Sequence, residues 1–168
     1  MKMFRHLALV AVLSLSAAGV SAQDYEKGRS AYNAGDYQTA FQEMMPLAEQ
    51  GNDMAQFYIG MMYEMGEGAP QSDANALLWF RLAVRSIVPL RMHLGEMYSM
   101  AAIENYVEGV PPDFVRALMW QTIATRSGWT PSEDLRDRLA EGMTPEDISK
   151  AQAMASECMS SGYENCGW

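Results

Sequence analysis

The feature of this sequence that most constrains its fold is an internal repeat. Two segments carry the same glycines, alanines and aromatic residues in the same order and at nearly the same spacing. The first copy has Gly60, Tyr63, Gly68, Ala76, Trp79 and Ala83, and the second has Gly95, Tyr98, Gly109, Ala117, Trp120 and Ala124. The leading glycines are 35 residues apart, a period typical of two-helix repeats that stack into a solenoid.

Each repeated position suits helix packing. We expect the glycines to let neighbouring helices approach closely, while the alanines, at helical spacing, form a stripe of small residues on the partner helix. Tyrosine and tryptophan would then fill the remaining space between the helices. We therefore predict a packing role for Gly60, Tyr63, Ala76, Trp79, Ala83, Gly95, Tyr98, Ala117, Trp120 and Ala124. Direct ligand contact by the tryptophans, tyrosines and glycines stays open as the alternative.

Related patterns flank the two clear copies. A diverged first copy covers about 24–52, and the clear copies occupy about 53–88 and 89–128. A degenerate C-terminal pair is predicted at 129–161, because Thr-Pro-x-acid sequences at Thr130 and Thr144 are typical helix starts.

The predicted fold is all-α, a right-handed solenoid of about four antiparallel helix pairs. The predicted helices are 24–34, 36–50, 53–65, 72–86, 90–102, 112–127, 131–141 and 145–160. Pro46 predicts a kink or an early break of the second helix near Met44 and Met45.

The two clear copies resemble the Sel1-like repeat, a relative of the tetratricopeptide repeat. The resemblance lies in the run from Ala55 through Ile59-Gly60 and Tyr63 to Gly68, and in the run from Val107 to Trp120. The second copy departs from the pattern by six extra residues around 101–106, which we expect to lengthen a turn. Sel1-like repeats form scaffolds, so the resemblance implies that this chain binds a protein or a peptide.

The first 22 residues have the form of a secretory signal peptide. Lys2 and Arg5 precede an uncharged apolar run over 7–20, and Val20-Ser21-Ala22 places small residues before a cleavage site. A membrane anchor is the alternative, but the run is short for a bilayer span. We therefore expect a repeat domain over 23–168 without a transmembrane anchor after cleavage, located in the bacterial periplasm or the medium.

The net negative charge of the chain argues against partners that are themselves strongly negative. Residues 23–168 hold 10 basic and 21 acidic side chains, a net charge of −11. Nucleic acids and anionic lipid surfaces are bound through an excess of Lys and Arg, so we predict neither as a partner. We expect a monomer whose acidic surface favours a basic protein or peptide partner of unknown identity.

The two cysteines, Cys158 and Cys166, lie close together near the end of the chain. In an oxidising compartment such a pair is most simply a disulfide that holds the tail to the last helix. Two free thiols are the alternative. A zinc site is disfavoured because zinc takes four ligands and His93 is the one histidine in residues 23–168.

The sequence offers little for catalysis. We find no nucleophile motif, phosphate-binding glycine loop or zinc-protease helix, so we predict no enzyme activity, no cofactor and no metal. His93 is interpreted as a structural residue. A second hypothesis is a cell-wall or β-lactam-related binding protein or hydrolase. It follows from a resemblance to cysteine-rich Sel1 proteins, although their bridge recurs in each repeat and here occurs once.

Two sets of residues are candidates for partner contact. Methionines cluster on the first two repeats and the start of the third, where they suit core packing or an adaptable apolar surface. A copper-binding methionine cluster is disfavoured because the methionine spacings suit helix faces. The other set comprises positions expected to be exposed on the first helix of each pair: Gln56, Glu64, Arg91 and Glu96.

Overall fold

The structure is a computed structural model that describes residues 17–104, 107–110, 112–129 and 133–167. The regular secondary structure of these residues is helical. The helices are α1 (Ala17–Asn33), α2 (Tyr37–Glu49), α3 (Asp53–Met65), α4 (Asp73–Ala83), α5 (Pro89–Glu104), α6 (Phe114–Arg126), α7 (Glu133–Glu141) and α8 (Pro145–Ser160). The pairs α1–α2, α3–α4 and α5–α6 pack against each other, which confirms the predicted all-α repeat architecture.

Short polar side chains start most of these helices. Asp36, Asn52, Ser72 and Asp113 each accept a hydrogen bond from the backbone N–H three residues later. Thr144 and Asp147 form the reciprocal capping box predicted from the sequence. The equivalent prediction at Thr130 lies outside the described residues. Helix α1 begins at Ala17, before the predicted cleavage site, so the predicted start at residue 24 is too late.

The repeated alanines lie at the centre of the packing. Ala76, Ala83, Ala117 and Ala124 are all fully buried. Among the aromatic residues, Trp120 and Tyr98 are buried, whereas their counterparts Trp79 and Tyr63 are half-buried. The second copy is therefore covered more completely than the first, because α7 and α8 pack against α5 and α6.

The two repeated glycines contact their neighbours differently. A Cβ placed on Gly60 would lie 2.5 Å from Cε1 of Phe80, whose ring is fully buried in α4. A Cβ placed on Gly95 would lie 3.5 Å from the backbone nitrogen of Gln121, an ordinary van der Waals distance. Gly60 is therefore required by side-chain packing, while Gly95 stands beside the backbone of α6 with room for a methyl group.

Of the kink or early break predicted near Pro46, the break is wrong, since α2 continues through Pro46 to Glu49. Pro46 and Gln42 are both exposed, so water can bond the carbonyl that the proline leaves without a donor. One turn further along the chain, the side-chain amide of Gln50 donates a hydrogen bond to the Pro46 carbonyl at 2.9 Å.

The six extra residues of the second copy mostly extend a helix. Helix α5 continues to Glu104, whereas the aligned helix α3 ends at Met65, opposite Met100. The chain then returns through residues 107–110, where Val107 and Val110 are buried. The backbone N–H of Glu108 donates to Oδ2 of Asp73 at 3.2 Å, which attaches this segment to the start of α4.

The C-terminal helices depart from the predicted antiparallel pair. Helix α8 packs chiefly along α6, as α3 packs along α2, while α7 lies against α5 and α6. The reason lies in the apolar positions of α8: its buried residues Ala151, Ala155 and Cys158 form one stripe in the same core cluster as Trp120. Helix α8 therefore covers the end of the last repeat.

Cys158 and Cys166 are joined by a disulfide, and both are buried. The bridge closes a short loop whose Tyr163 and Glu164 contact Arg91 and Arg85, respectively. The loop therefore fastens the tail to α8 and to the connection between α4 and α5.

Removing this bridge is expected to cost measurable stability. Closing a loop of this size restricts the unfolded chain, an effect of about 2.5 kcal/mol by chain-entropy estimates. We expect the Cys158→Ser/Cys166→Ser double variant to lose about that much unfolding free energy in urea titrations, with little change in the helical circular dichroism of the native state. A non-reducing peptide map that lacks the linked peptides would contradict the bridge itself.

Candidate functional site

The four predicted surface residues do not form one surface. Gln56 is 5% exposed and donates from Nε2 to the Ala48 carbonyl at 3.0 Å, so the expectation that it is exposed is wrong. Helix α2 covers this part of α3, which a pattern within one repeat does not reveal. Arg91 lies under the C-terminal loop, with its guanidinium carbon 4.1 Å from the centre of the Tyr163 ring.

Glu64 and Glu96 lie near His93, which links α5 to α3. Nε2 of His93 is 2.9 Å from Oε1 of Glu64, and the imidazole ring packs edge-on against Phe80 at 5.0 Å between centroids. Burial by itself would lower the pKa of His93. The hydrogen bond to Glu64 and the negative charges of Glu64 and Glu96 outweigh that effect, and the pKa is raised.

This ion pair predicts a pH dependence of stability. A histidine whose pKa is higher in the folded state stabilises the fold fully below its unfolded pKa, which is about 6.5, and the contribution is lost as pH rises through the folded pKa. We expect the free-energy advantage of the wild type over His93→Gln to be greatest below about pH 6.5 and to shrink as the pH rises above it. Urea titrations at a series of pH values measure this, and an advantage that does not change as the pH rises would contradict the pair. NMR can follow the ring directly, because residues 23–168 hold no other histidine.

Glu64 also lines a pocket between the two repeats. The pocket has a volume of about 400 Å³ and opens to solvent. Its walls are formed by Glu64 from α3, Gln71 and Asp73 before and at the start of α4, Met97 and Met100 from α5, and Val107 and Glu108 after α5. We call it the acidic pocket, since it brings together three carboxylates, at residues 64, 73 and 108, and two methionines.

Several elements position these side chains. Ser72 caps α4 and places Asp73 in its first turn, where Asp73 accepts the N–H of Glu108. The extended end of α5 carries Met100, which is 39% exposed, while Met97 at 5% forms the floor. The sequence indicated Glu64 and the methionines as candidates. It did not indicate Asp73 or Glu108, although Glu108 lies just after the six extra residues of the second copy.

The chemistry of the acidic pocket is that of cation recognition. Carboxylate oxygens accept hydrogen bonds from ammonium and guanidinium groups, and methionine adapts to the apolar stem of a lysine or arginine side chain. Over the described ranges, no three histidine, cysteine or acidic side chains are placed to hold one metal ion. A search of the described helices for one long and apolar enough to cross a membrane found none.

The stacked helix pairs place the chain in the class of helical-repeat scaffolds. Residues 53–86 and 94–128 match the family model of the Sel1 repeat, so the chain contains two Sel1 repeats. Such repeats typically form non-catalytic scaffolds that bind proteins. No curated protein matches the sequence.

A crystal structure provides a comparison for the fold. A protective antigen present in uropathogenic Escherichia coli strains, which displays an SLR fold, is similar over 87% of this chain with a TM-score of 0.65 and 19% sequence identity. This chain spans 32% of the length of that protein, about a third. At this level of identity the likeness establishes the solenoid fold.

Proposed function

We propose that the protein is a non-enzymatic repeat scaffold of the bacterial cell envelope that binds a basic segment of a partner protein in the acidic pocket. The observation that carries the proposal is the convergence of Glu64, Asp73 and Glu108 around Met97 and Met100, at the junction of the two Sel1 repeats. The signal-peptide pattern supports export, and the disulfide is compatible with an oxidising compartment.

Charge supports a cationic occupant. Asp73 uses one oxygen for the N–H of Glu108, and Glu64 bonds His93 through one oxygen. A carboxylate has lone pairs for further donors. The surplus of acidic residues in the chain would also attract a basic partner over a distance and speed its association at low salt.

The pocket suits a short segment better than a metabolite. Its polar walls come from the ends of helices and its apolar floor from methionine, so a lysine or arginine side chain with an apolar neighbour would satisfy both. Stacked helix pairs offer such inter-repeat pockets along one side, which is how solenoids bind extended segments.

Fluorescence anisotropy of a labelled peptide tests the proposal. The probe is Gly-Ser-Lys-Leu-Lys-Ser-Gly, and its neutral match is Gly-Ser-Gln-Leu-Gln-Ser-Gly. We expect the lysine peptide to bind residues 23–168 about tenfold more tightly than the glutamine peptide, with affinity falling as salt is added. Equal binding of the two peptides, or no binding of either at millimolar protein, would overturn the proposal.

A further inference from the structure

His93 connects the core between the two repeats to the acidic pocket. Its ring packs edge-on against Phe80, whose side chain is fully buried in α4. Nε2 of His93 is shielded from solvent and lies 2.9 Å from Oε1 of Glu64, which lines the pocket. The described residues that line the pocket do not include His93. The imidazole therefore stands behind one carboxylate of the site, where it acts on the charge of that carboxylate without contacting a ligand.

Protonation of His93 changes the charge that the acidic pocket presents. With the imidazole neutral, Glu64 offers a full negative charge to a ligand. With the imidazole protonated, the same carboxylate is paired with a positive charge 2.9 Å away, and the two side chains together carry no net charge. The side chains of His93 and Glu64 are 30% and 27% exposed, so water and salt screen this pair less than they screen a fully exposed one.

Two carboxylates face the ring from the helices around it. Glu64 lies on α3 and Glu96 on α5, three residues after His93, while α4 contributes the uncharged ring of Phe80. Among the described residues, these two carboxylates are the charged groups that act on the titration of His93. Burial lowers the pKa of His93, but the contact with Glu64 and the negative charges of Glu64 and Glu96 outweigh burial and raise it. The ring therefore changes its charge at a pH above about 6.5.

We propose that His93 is a pH-dependent switch of the acidic pocket: the neutral ring allows tight binding of a basic segment, and the protonated ring weakens that binding by neutralising Glu64. This switch rests on the proposed function, since it acts on the same pocket and the same basic ligand. A proton on His93 and a cationic side chain of the ligand both draw on the charge of Glu64, so each lowers the affinity for the other. Asp73 and Glu108 lie outside the pair and still attract the ligand when His93 is protonated, so binding is weakened and not abolished.

The same coupling acts in reverse. A cation bound beside Glu64 makes the addition of a proton to His93 less favourable, so bound ligand lowers the pKa of His93. The factor by which protonation weakens the ligand equals the factor by which the ligand weakens the proton. Because residues 23–168 hold no other histidine, one set of imidazole NMR signals reports this factor directly.

Peptide titrations at a series of pH values, followed by NMR, test the switch. The probe is Gly-Ser-Lys-Leu-Lys-Ser-Gly with an acetylated N-terminus and an amidated C-terminus, so that its charge stays constant up to about pH 9. At constant salt, we expect its affinity for residues 23–168 to be lowest below about pH 6.5 and to rise about fivefold as the pH increases above it. His93→Gln removes the titrating group, and its affinity should not depend on pH.

The imidazole signals of the wild type test the coupling without a substitution in the switch. We expect saturating lysine peptide to lower the pKa of His93 by the logarithm of the affinity ratio, and the glutamine peptide, with the same blocked ends, to leave it unchanged. Glu108→Gln keeps the contact between His93 and Glu64, so it should weaken the lysine peptide at every pH and retain the pH dependence.

The possible failures of the switch and of the proposed function give different results. An affinity that does not change with pH, with a pKa of His93 that the peptide does not move, would overturn the switch and leave the proposed function intact. A pH dependence that persists in a folded His93→Gln variant would overturn the switch by assigning the titration to another group. Absence of binding at every pH would overturn both. Circular dichroism of His93→Gln at each pH shows whether the variant is folded, and if it is not, the wild-type imidazole titration decides.

Discussion

Replacing Gly60 with alanine is expected to destabilise the protein by about 2 kcal/mol, because the clash of the new Cβ with the ring of Phe80, at 2.5 Å, costs about 3 kcal/mol and outweighs the gain of about 1 kcal/mol that alanine has over glycine in a helix. Phe80 is fully buried and its ring packs against the rings of Phe57 and His93, so a shift of the ring would disturb both neighbours. Overpacking of this kind forces side chains out of their rotamers and shifts the backbone of one helix. Urea titration of residues 23–168 measures the loss.

The matched control is Gly95→Ala. The Cβ at that position stands 3.5 Å from its nearest neighbours, and alanine favours a helix over glycine by about 1 kcal/mol. We expect the Gly95 variant to be as stable as the wild type or slightly more so. Equal losses at both positions would show that the two repeats do not differ in packing as described.

Removing two carboxylates from the acidic pocket is expected to weaken the lysine peptide about tenfold, on the basis of about 0.5–1 kcal/mol for each exposed charge contact. The variant is Glu64→Gln/Glu108→Gln, which keeps the shape of both side chains. It should reduce the salt dependence of binding as well, since fewer charges contribute. The glutamine peptide should bind the variant and the wild type equally.

Two controls separate charge at the pocket from charge in general. Glu49→Gln/Glu146→Gln removes two exposed carboxylates outside the pocket and should leave the affinity nearly unchanged. Because Glu64 also bonds His93, the single variant Glu108→Gln tests the pocket without that ion pair. If the two double variants weaken the peptide equally, binding follows net charge and the acidic pocket is not the site.

Much of the fold could be predicted from the sequence because the repeated residues act through the size of their side chains, which decides how closely two helices can pack. Alanines at helical spacing, such as Ala76 and Ala83, can be predicted as buried since the pattern itself requires a close partner. The helix start at Thr144 could be located because capping depends on residues within one turn. Helical spacing and capping depend on residues close together in the chain, so both can be recognised in a single sequence.

What the sequence could not predict depends on contacts between repeats. Gln56 is polar, and glutamine is usually found at the surface. It is buried here because α2 of the preceding repeat covers it. The packing of α8 on α6 likewise depends on a stripe that could equally have faced α7. The six extra residues gave no sign that they would extend α5 and bring Glu108 to Asp73. The acidic pocket is formed by these longer-range contacts, so the sequence predicted only some of the residues that line it.

The measurement that tests the central claim most directly is a methyl NMR titration with the lysine peptide. Methionine ε-methyl groups labelled with ¹³C report on the acidic pocket through Met97 and Met100, and on surfaces elsewhere through Met54 and Met65, which are each 43% exposed. The account predicts saturable shifts at Met97 and Met100, with the other methyl signals unmoved. Shifts confined to Met54 or Met65, or no saturable shift at any methionine, would contradict it.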